Sequence, residues 1–408
     1  MAAVNGRVAN PDGFETAYAG AIDFLPLAAG TPVTTAAERQ RRQKELRAGL
    51  AKALYGPIPS PPDDLSVRRQ PIPREHAERL LIEMAVADRR FTVDAALWLP
   101  PETDGPAPLI CGLDFLGPVG LMTSSGFPID EKARISSRPV YGARDNRMEE
   151  TLRGVSTYRW PVSMLLDAGY AVLVSCYGSW VPDDPGHWTA HGLCPLLGYR
   201  GDPPMGAISL WAWAIHRLLD AAASFDEIDM ANVAVAGHSR LGKAALWAAA
   251  NNPRIGTVFA SNSGCGGSAP AAHSVGETLA QMAERFPHWT IQHRKHPIPE
   301  LPFDQHHLLS LIAPRAVYLA AANADLWADP IGSFLALQKA ADFWPPEQGA
   351  AWNWPSPREV WQSCGRVHNG QLGYHLRPGG HDLLPYDWRQ FLEFLEAEQM
   401  AAHRTRKT

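Results

Sequence analysis

The residues whose types and spacing point most directly to chemistry stand in Val233-Ala-Val-Ala-Gly-His-Ser-Arg-Leu-Gly-Lys-Ala-Ala-Leu-Trp247. An apolar run enters Gly237-His238-Ser239-Arg240 and passes straight into an Ala/Leu-rich helical stretch. A strand, a tight turn and a helix in that order can push a serine hydroxyl out above a sheet as a nucleophile, provided its neighbours are small. The same turn sets Ser239 at a helix start, where unpaired N–H groups and the helix dipole favour developing negative charge. The usual spacing is Gly-x-Ser-x-Gly; here residue 241 is leucine and the glycine is delayed to Gly242. Two other readings compete. Ser239 also fits a plain helix N-cap, and Gly237-x-x-x-x-Gly242-Lys243-Ala244 fits a phosphate-binding loop in all but its last position. Chemistry argues against the phosphate loop: Ala244 cannot coordinate magnesium, and His238, Arg240 and Leu241 are bulky where a phosphate cradle wants small residues.

A nucleophilic serine needs a base to take its proton and an acid to orient that base; α/β-hydrolases supply them in the chain order Ser, Asp/Glu, His. Among 15 histidines the best placed is His381, in Tyr374-His-Leu-Arg-Pro-Gly-Gly-His-Asp382, because paired glycines after a late strand make a loop that can deliver an imidazole. His375 is the rival, but a within-strand position suits a packed core residue. His306 and His307, in Asp304-Gln-His-His, raise the question of a metal; adjacent side chains on a helix are expected to diverge, so no metal site is expected there. For the acid, the apolar run Ala316 to Ala321 leads into Ala322-Asn-Ala-Asp-Leu-Trp-Ala-Asp-Pro330, which sets Asp325 just past a strand end. Asp329, directly before a proline that can open a helix, reads better as an N-cap.

These groups need a scaffold. Short apolar runs (Leu109 to Phe115, Ala171 to Tyr177, Val233 to Gly237, Gly256 to Ser261, Ala316 to Ala321, Gly373 to Arg377) alternate with helical patterns (Pro161 to Ala168, Ala207 to Ala223, Leu241 to Ala250, Ile331 to Phe343, Trp388 to Glu398). Nearly uninterrupted apolar strands alternating with helices predict an α/β fold: a mostly parallel central sheet with helices on both faces, in three layers, with chemistry at the carboxyl ends of the strands. Ahead of it, residues 1 to about 35 are Gly, Ala and Pro rich, Thr34 to Leu54 predicts a helix, Pro57 to Pro73 reads as a Pro-rich connector, and Arg79 to Ala87 with Phe91 to Leu99 reads as a β-hairpin. We therefore expect an N-terminal extension (1–104) on an α/β-hydrolase catalytic domain (105–408).

The bulk properties exclude several classes. Thirty-seven basic against 42 acidic residues, a formal charge of −5, leave no basic stripe for a nucleic acid. Five scattered cysteines without CxxC spacing signal neither disulfides nor zinc and are read as buried thiols. The opening MAAVNGRVANPDGFE lacks the basic start and apolar run of a secretion signal, and no apolar stretch of membrane-spanning length follows, so a soluble chain without membrane association is expected. The sequence is silent on oligomeric state.

The ordered motifs Gly237-His-Ser-Arg-Leu-Gly-Lys243, Ser261-Asn-Ser-Gly-Cys-Gly-Gly267, Gly276-Glu277, Phe286-Pro-His-Trp289, Leu301-Pro-Phe-Asp-Gln-His306, Leu311-Ile-Ala-Pro-Arg315, Leu326-Trp-Ala-Asp-Pro330 and Arg377-Pro-Gly-Gly-His-Asp382 together resemble bacterial glucuronoyl esterases, carbohydrate esterase family 15. The likeness spans residues 150 to 390, and the delayed glycine matches that family's elbow. The resemblance implies cleavage, without a cofactor, of the ester between a 4-O-methyl-glucuronic acid branch of glucuronoxylan and a lignin alcohol, in a family usually secreted or periplasmic. It implies Ser239 as nucleophile, His381 as base, Arg240 as oxyanion donor through its backbone N–H and guanidinium, Lys243 and Glu277 on sugar hydroxyls, and Trp327 on the sugar ring. The bland readings are a solvated Lys243–Glu277 pair and a core Trp327. Asn262 stands where some members carry the acid, which favours Asp325. The fungal disulfide would need cysteines at His238 and Asp382. Ser268-Ala-Pro-Ala-Ala-His273 lacks the paired arginines common in bacterial relatives, and Gly117-Pro-Val-Gly120 departs from the usual loop. An acetylxylan-type esterase and a non-catalytic carbohydrate-binding relative are the alternatives.

Overall fold

The computed structural model describes residues 35–101, 105–136, 143–200, 204–272, 275–291, 303–345 and 352–407. The Gly/Ala/Pro-rich stretch before residue 35, Leu301 and Pro302 of one motif and His273 of another lie outside them. Ten strands form one sheet: β1 (Asp64–Ile72), β2 (Ala77–Val86), β3 (Arg89–Trp98), β4 (Ala107–Asp114), β5 (Ala171–Cys176), β6 (Ile228–His238), β7 (Thr257–Ser261), β8 (Ala316–Ala322), β9 (Arg366–Asn369) and β10 (Leu372–Arg377). Their spatial order is β1-β2-β3-β5-β4-β6-β7-β8-β10-β9. From β5 through β10 all neighbours run parallel, while β1 to β3 and β9 are antiparallel additions.

The parallel centre explains why the sequence could be read. Every residue of β5 and β8 is buried, so both faces of those strands are covered and the runs are continuously apolar rather than alternating. Helix Ala207–Ala222 is buried along almost its whole length and packs beside helix Arg240–Asn251. The last helix opens at Pro385, ahead of the expected Trp388, since proline suits a first helical turn.

The Pro-rich connector is corrected in part: its second half is β1, paired with β2 from Asp64↔Ala85 to Ile72↔Ala77. As the edge strand, β1 leaves both faces largely wet and tolerates Pro71, which hides the strand signal. The expected hairpin is β2 and β3, and it continues the sheet through Ala95↔Ser175 to Trp98↔Val172. Helix Ala36–Leu50 is capped by the Thr35 hydroxyl, which accepts from the Glu38 N–H at 3.2 Å. Gln43 of that helix donates to the carbonyls of Ser310 and Ala313, and Arg47 to that of Ala250. Tyr55, following it, stacks on Trp247 with ring centroids 4.6 Å apart, behind the serine-bearing turn. Four cysteines are buried as expected; Cys364 is only partly so, because it ends helix Pro357–Ser363 in a left-handed turn near the surface.

Candidate active site

Ser239 stands at the carboxyl end of β6 with φ 58° and ψ −125°, a conformation L-residues rarely adopt. The turn is tied down on both sides: the Ser239 N–H donates to Ser261 O at 2.8 Å, and its carbonyl accepts from Lys243 N at 3.1 Å. Two glycines make it possible. A Cβ on Gly237 would stand 2.2 Å from Leu241 O, and one on Gly242 would meet Ser263 Cβ at 3.0 Å and Gly237 O at 3.1 Å. The crowded neighbour is thus residue 242, not 241, so the delayed glycine is the one the packing demands. Although Ser239 is the N-cap residue of helix Arg240–Asn251, its hydroxyl makes no capping bond.

That hydroxyl instead meets His381. The Ser239 Oγ to His381 Nε2 distance is 2.9 Å, and His381 Nδ1 lies 2.6 Å from Asp325 Oδ2. The Asp325 side chain is almost fully buried while the imidazole is 42 % exposed, so the acid is shielded and the base faces the opening. The loops carrying the two are laced together: Asn323 N donates to Arg377 O at 2.9 Å, Ala324 N to Gly379 O at 2.9 Å, and Gly379 N to Asn323 Oδ1 at 3.1 Å. Arg377 holds the histidine loop from beneath, donating to the carbonyls of Gly380 and Asp382 while paired with buried Asp387. Asn262, at left-handed φ 46°, also donates to Asp382 O at 3.0 Å. The His238 ring backs the site, 4.7 Å from the ring of His381; burial, then the nearby His381 and Arg159 charges, hold it well below the usual histidine range, hence neutral.

Arg240 is partly buried, its side chain 13 % exposed, and its guanidinium lies against aromatic faces, 4.5 Å from the Trp289 centroid, 5.2 Å from Phe286 and 5.5 Å from Phe115. It is hydrogen-bonded to Asp183. In this fold class a second oxyanion donor commonly comes from the loop that follows the strand equivalent to β4. Here the N–H groups of Leu116 and Gly117 both turn back to Asp114 Oδ1 at 2.9 Å, and residue 118 is proline. That loop is therefore committed to Asp114.

Lys243 and Glu277 are both buried, which rules out a solvated pair. Lys243 Nζ donates to Ser263 O at 2.7 Å and to Cys265 O, and burial lowers its pKa against the opposing pull of Glu277. Glu277 Oε1 is buried and has no hydrogen-bond partner among the described residues, the Arg285 guanidinium staying 3.9 Å away. Trp327 is half-buried rather than core; Arg285 covers one of its faces at 4.7 Å, and its carbonyl accepts from Glu277 N at 2.9 Å.

The rivals take structural places. His375 is fully buried between the Tyr318 hydroxyl (2.9 Å) and Asp387 (2.8 Å). Asp329 caps helix Pro330–Ala340 by accepting from Gly332 N at 2.9 Å. The His306 and His307 rings do not diverge but lie 4.0 Å apart, because His307 Nδ1 turns back to accept from Asp304 N at the helix start. Among the described residues no His, Cys, Asp and Glu cluster is arranged to hold a metal. A cavity of about 640 Å³ opens between β3 and the loops after β4 and β5, and none of Ser239, His381 and Asp325 lines it. Sequence reasoning missed Asp183, which sits in Pro182-Asp-Asp-Pro185 and looks like an ordinary turn.

Comparison with known proteins gives the family. The family model described as "Glucuronyl esterase, fungi" matches residues 197–345. A carbohydrate esterase from an unknown prokaryotic organism is 31 % identical over 92 % of this chain and 88 % of its own. The 4-O-methyl-glucuronoyl methylesterase of Hypocrea jecorina is 33 % identical over 36 % of this chain and 34 % of its own. The solved glucuronoyl esterase from Solibacter usitatus superposes with a TM-score of 0.78 at 30 % identity, covering 93 % of this chain and 98 % of that one. The chain belongs to the glucuronoyl esterases of carbohydrate esterase family 15, built on the α/β-hydrolase fold.

Proposed function

We propose that the protein is a serine esterase that hydrolyses esters of 4-O-methyl-glucuronic acid, as in cross-links between glucuronoxylan and lignin, through an acyl-enzyme. The reading is carried by one observation, the continuous chain Ser239 Oγ, His381, Asp325 with contacts of 2.9 and 2.6 Å. Distances in this range let a histidine take the serine proton while the carboxylate fixes the tautomer and stabilises the imidazolium. Ser239 attacks the uronate carbonyl; the alcohol leaves with the proton held by His381; water, activated by the same imidazole, releases the uronate. Arg240 supports the oxyanion through its backbone N–H, one of the unpaired donors of a helix start, and through its guanidinium.

Lys243 and Glu277 are the proposed partners of sugar hydroxyls. An ammonium has three N–H donors; two are used on carbonyls, and the third remains for a ligand oxygen. The Glu277 Oε1, which takes no hydrogen bond among the described residues, supplies the matching acceptor. The face of Trp327 not covered by Arg285 suits the CH surface of a sugar ring. The test is an assay of purified protein on methyl and benzyl 4-O-methyl-glucuronate beside acetylated xylan. Hydrolysis of the uronate esters is expected; release of acetate with the uronate esters left intact would replace this reading with an acetyl esterase.

A further inference from the structure

An arginine is always charged, so its value to an oxyanion depends on placement rather than on titration. A free arginine side chain also carries much rotamer entropy, which a site must suppress to hold the fork still. The structure supplies a fixture. Asp183 lies past β5, 57 residues before Arg240 in the chain, and its side chain is fully buried. Its Oδ2 accepts from Arg240 Nη1 and lies 2.8 Å from the Tyr177 hydroxyl, whose single proton it shares with the carbonyl of Ile135. Its Oδ1 accepts from His288 Nε2 and Trp289 Nε1, each at 2.8 Å. A carboxylate offers about four lone-pair sites; three donors and the Tyr177 oxygen, spread over both of its oxygens, hold its plane fixed. Its backbone is pinned as well, Asp183 N donating to Arg134 O at 3.0 Å. Burial alone would raise the carboxyl pKa, but the Arg240 guanidinium, with His288 and Trp289, holds it well below the usual carboxylate range. Trp289 serves both partners, since its indole N–H fixes Asp183 and its ring underlies the guanidinium.

We propose that Asp183 is the positioning residue of the oxyanion cation. Clamped by Tyr177, His288 and Trp289, it aims the Arg240 guanidinium at the oxygen on which charge develops, without touching substrate. This rests on the reading of Arg240 as an oxyanion donor, so the experiment separates the two. In a double-mutant cycle on benzyl glucuronate, kcat and KM are measured for wild type, Asp183→Asn, Arg240→Ala and the pair. Asp183→Asn should lower kcat on the order of 10²-fold, as loss of an oxyanion donor does, with KM changed by less than about threefold. In the Arg240→Ala background the same change should cost less than about threefold. An equal loss in both backgrounds, or no loss in the wild type, overturns the positioning role. An Arg240→Ala variant as fast as wild type overturns the oxyanion reading and the positioning role with it. Should Asp183→Asn fail to fold, Tyr177→Phe removes one clamp and keeps the ring. A kcat loss confined to the Arg240-containing enzyme then supports the proposal, and an equal loss in both backgrounds refutes it.

Discussion

The α-carbon of Gly237 faces the carbonyl of Leu241 so closely that an added methyl would come within 2.2 Å of that oxygen. The obstacle is backbone, with no side chain to swing aside, so Gly237→Ala must displace the turn that bears Ser239. We predict a destabilisation of about 2 kcal/mol or more, read as a lowered urea midpoint, together with loss of esterase activity in the fraction that remains folded. Wild-type stability and activity in that variant would contradict the account of the turn.

Asp325 and Asp329, four residues apart, should separate cleanly. Asp325→Asn keeps the shape but removes the charge that fixes the His381 tautomer, so kcat should fall on the order of 10²- to 10⁴-fold with stability near wild type. Asp329→Ala deletes a helix cap at a left-handed position, φ 47°, and should cost about 1–3 kcal/mol of stability while leaving kcat per folded molecule near wild type. Steady-state kinetics and thermal melts of both variants decide; the reverse pattern would exchange their roles.

Stability should fall on mild acidification through His216. Burial lowers its pKa to about 4, against the bond from its Nε2 to Ala248 O at 3.0 Å. Between the unfolded value of about 6.5 and the folded one, the unfolded chain binds the proton and the native one does not. The group's stabilisation is therefore complete above about pH 6.5 and is lost as pH drops toward 4. Between pH 7.5 and 5 that loss is about 2 kcal/mol. Urea midpoints at the two pH values for wild type and His216→Gln should differ in slope by about this amount; identical slopes would refute it.

The legible parts of the molecule were those with local signatures. Strands β4, β5, β7 and β8 and the second half of β6 are buried on both faces and show up as apolar runs, and the Ser239 turn and the His381 loop carry glycines at positions where the backbone needs them. What escaped depends on distant partners. β1 is a wet edge whose only guide is its pairing with β2, and β9 is four residues long. Asp183 looks like a turn residue until the fold brings Arg240, His288 and Trp289 to it across 57, 105 and 106 residues. These three distant partners of the carboxylate share no periodicity that a linear reading could detect. Lys243 could be placed one turn beyond Ser239 by helical spacing, but its bonds to Ser263 and Cys265 depend on the β7 loop curling over it.

The central claim is that Ser239 carries the acyl group. Wild-type enzyme mixed with excess benzyl 4-O-methyl-glucuronate, quenched in acid within milliseconds and digested, should yield the peptide containing Ser239 heavier by one 4-O-methyl-glucuronoyl group. Ser239→Ala should yield neither adduct nor product. An adduct on another residue, or undiminished turnover by Ser239→Ala, would contradict the account.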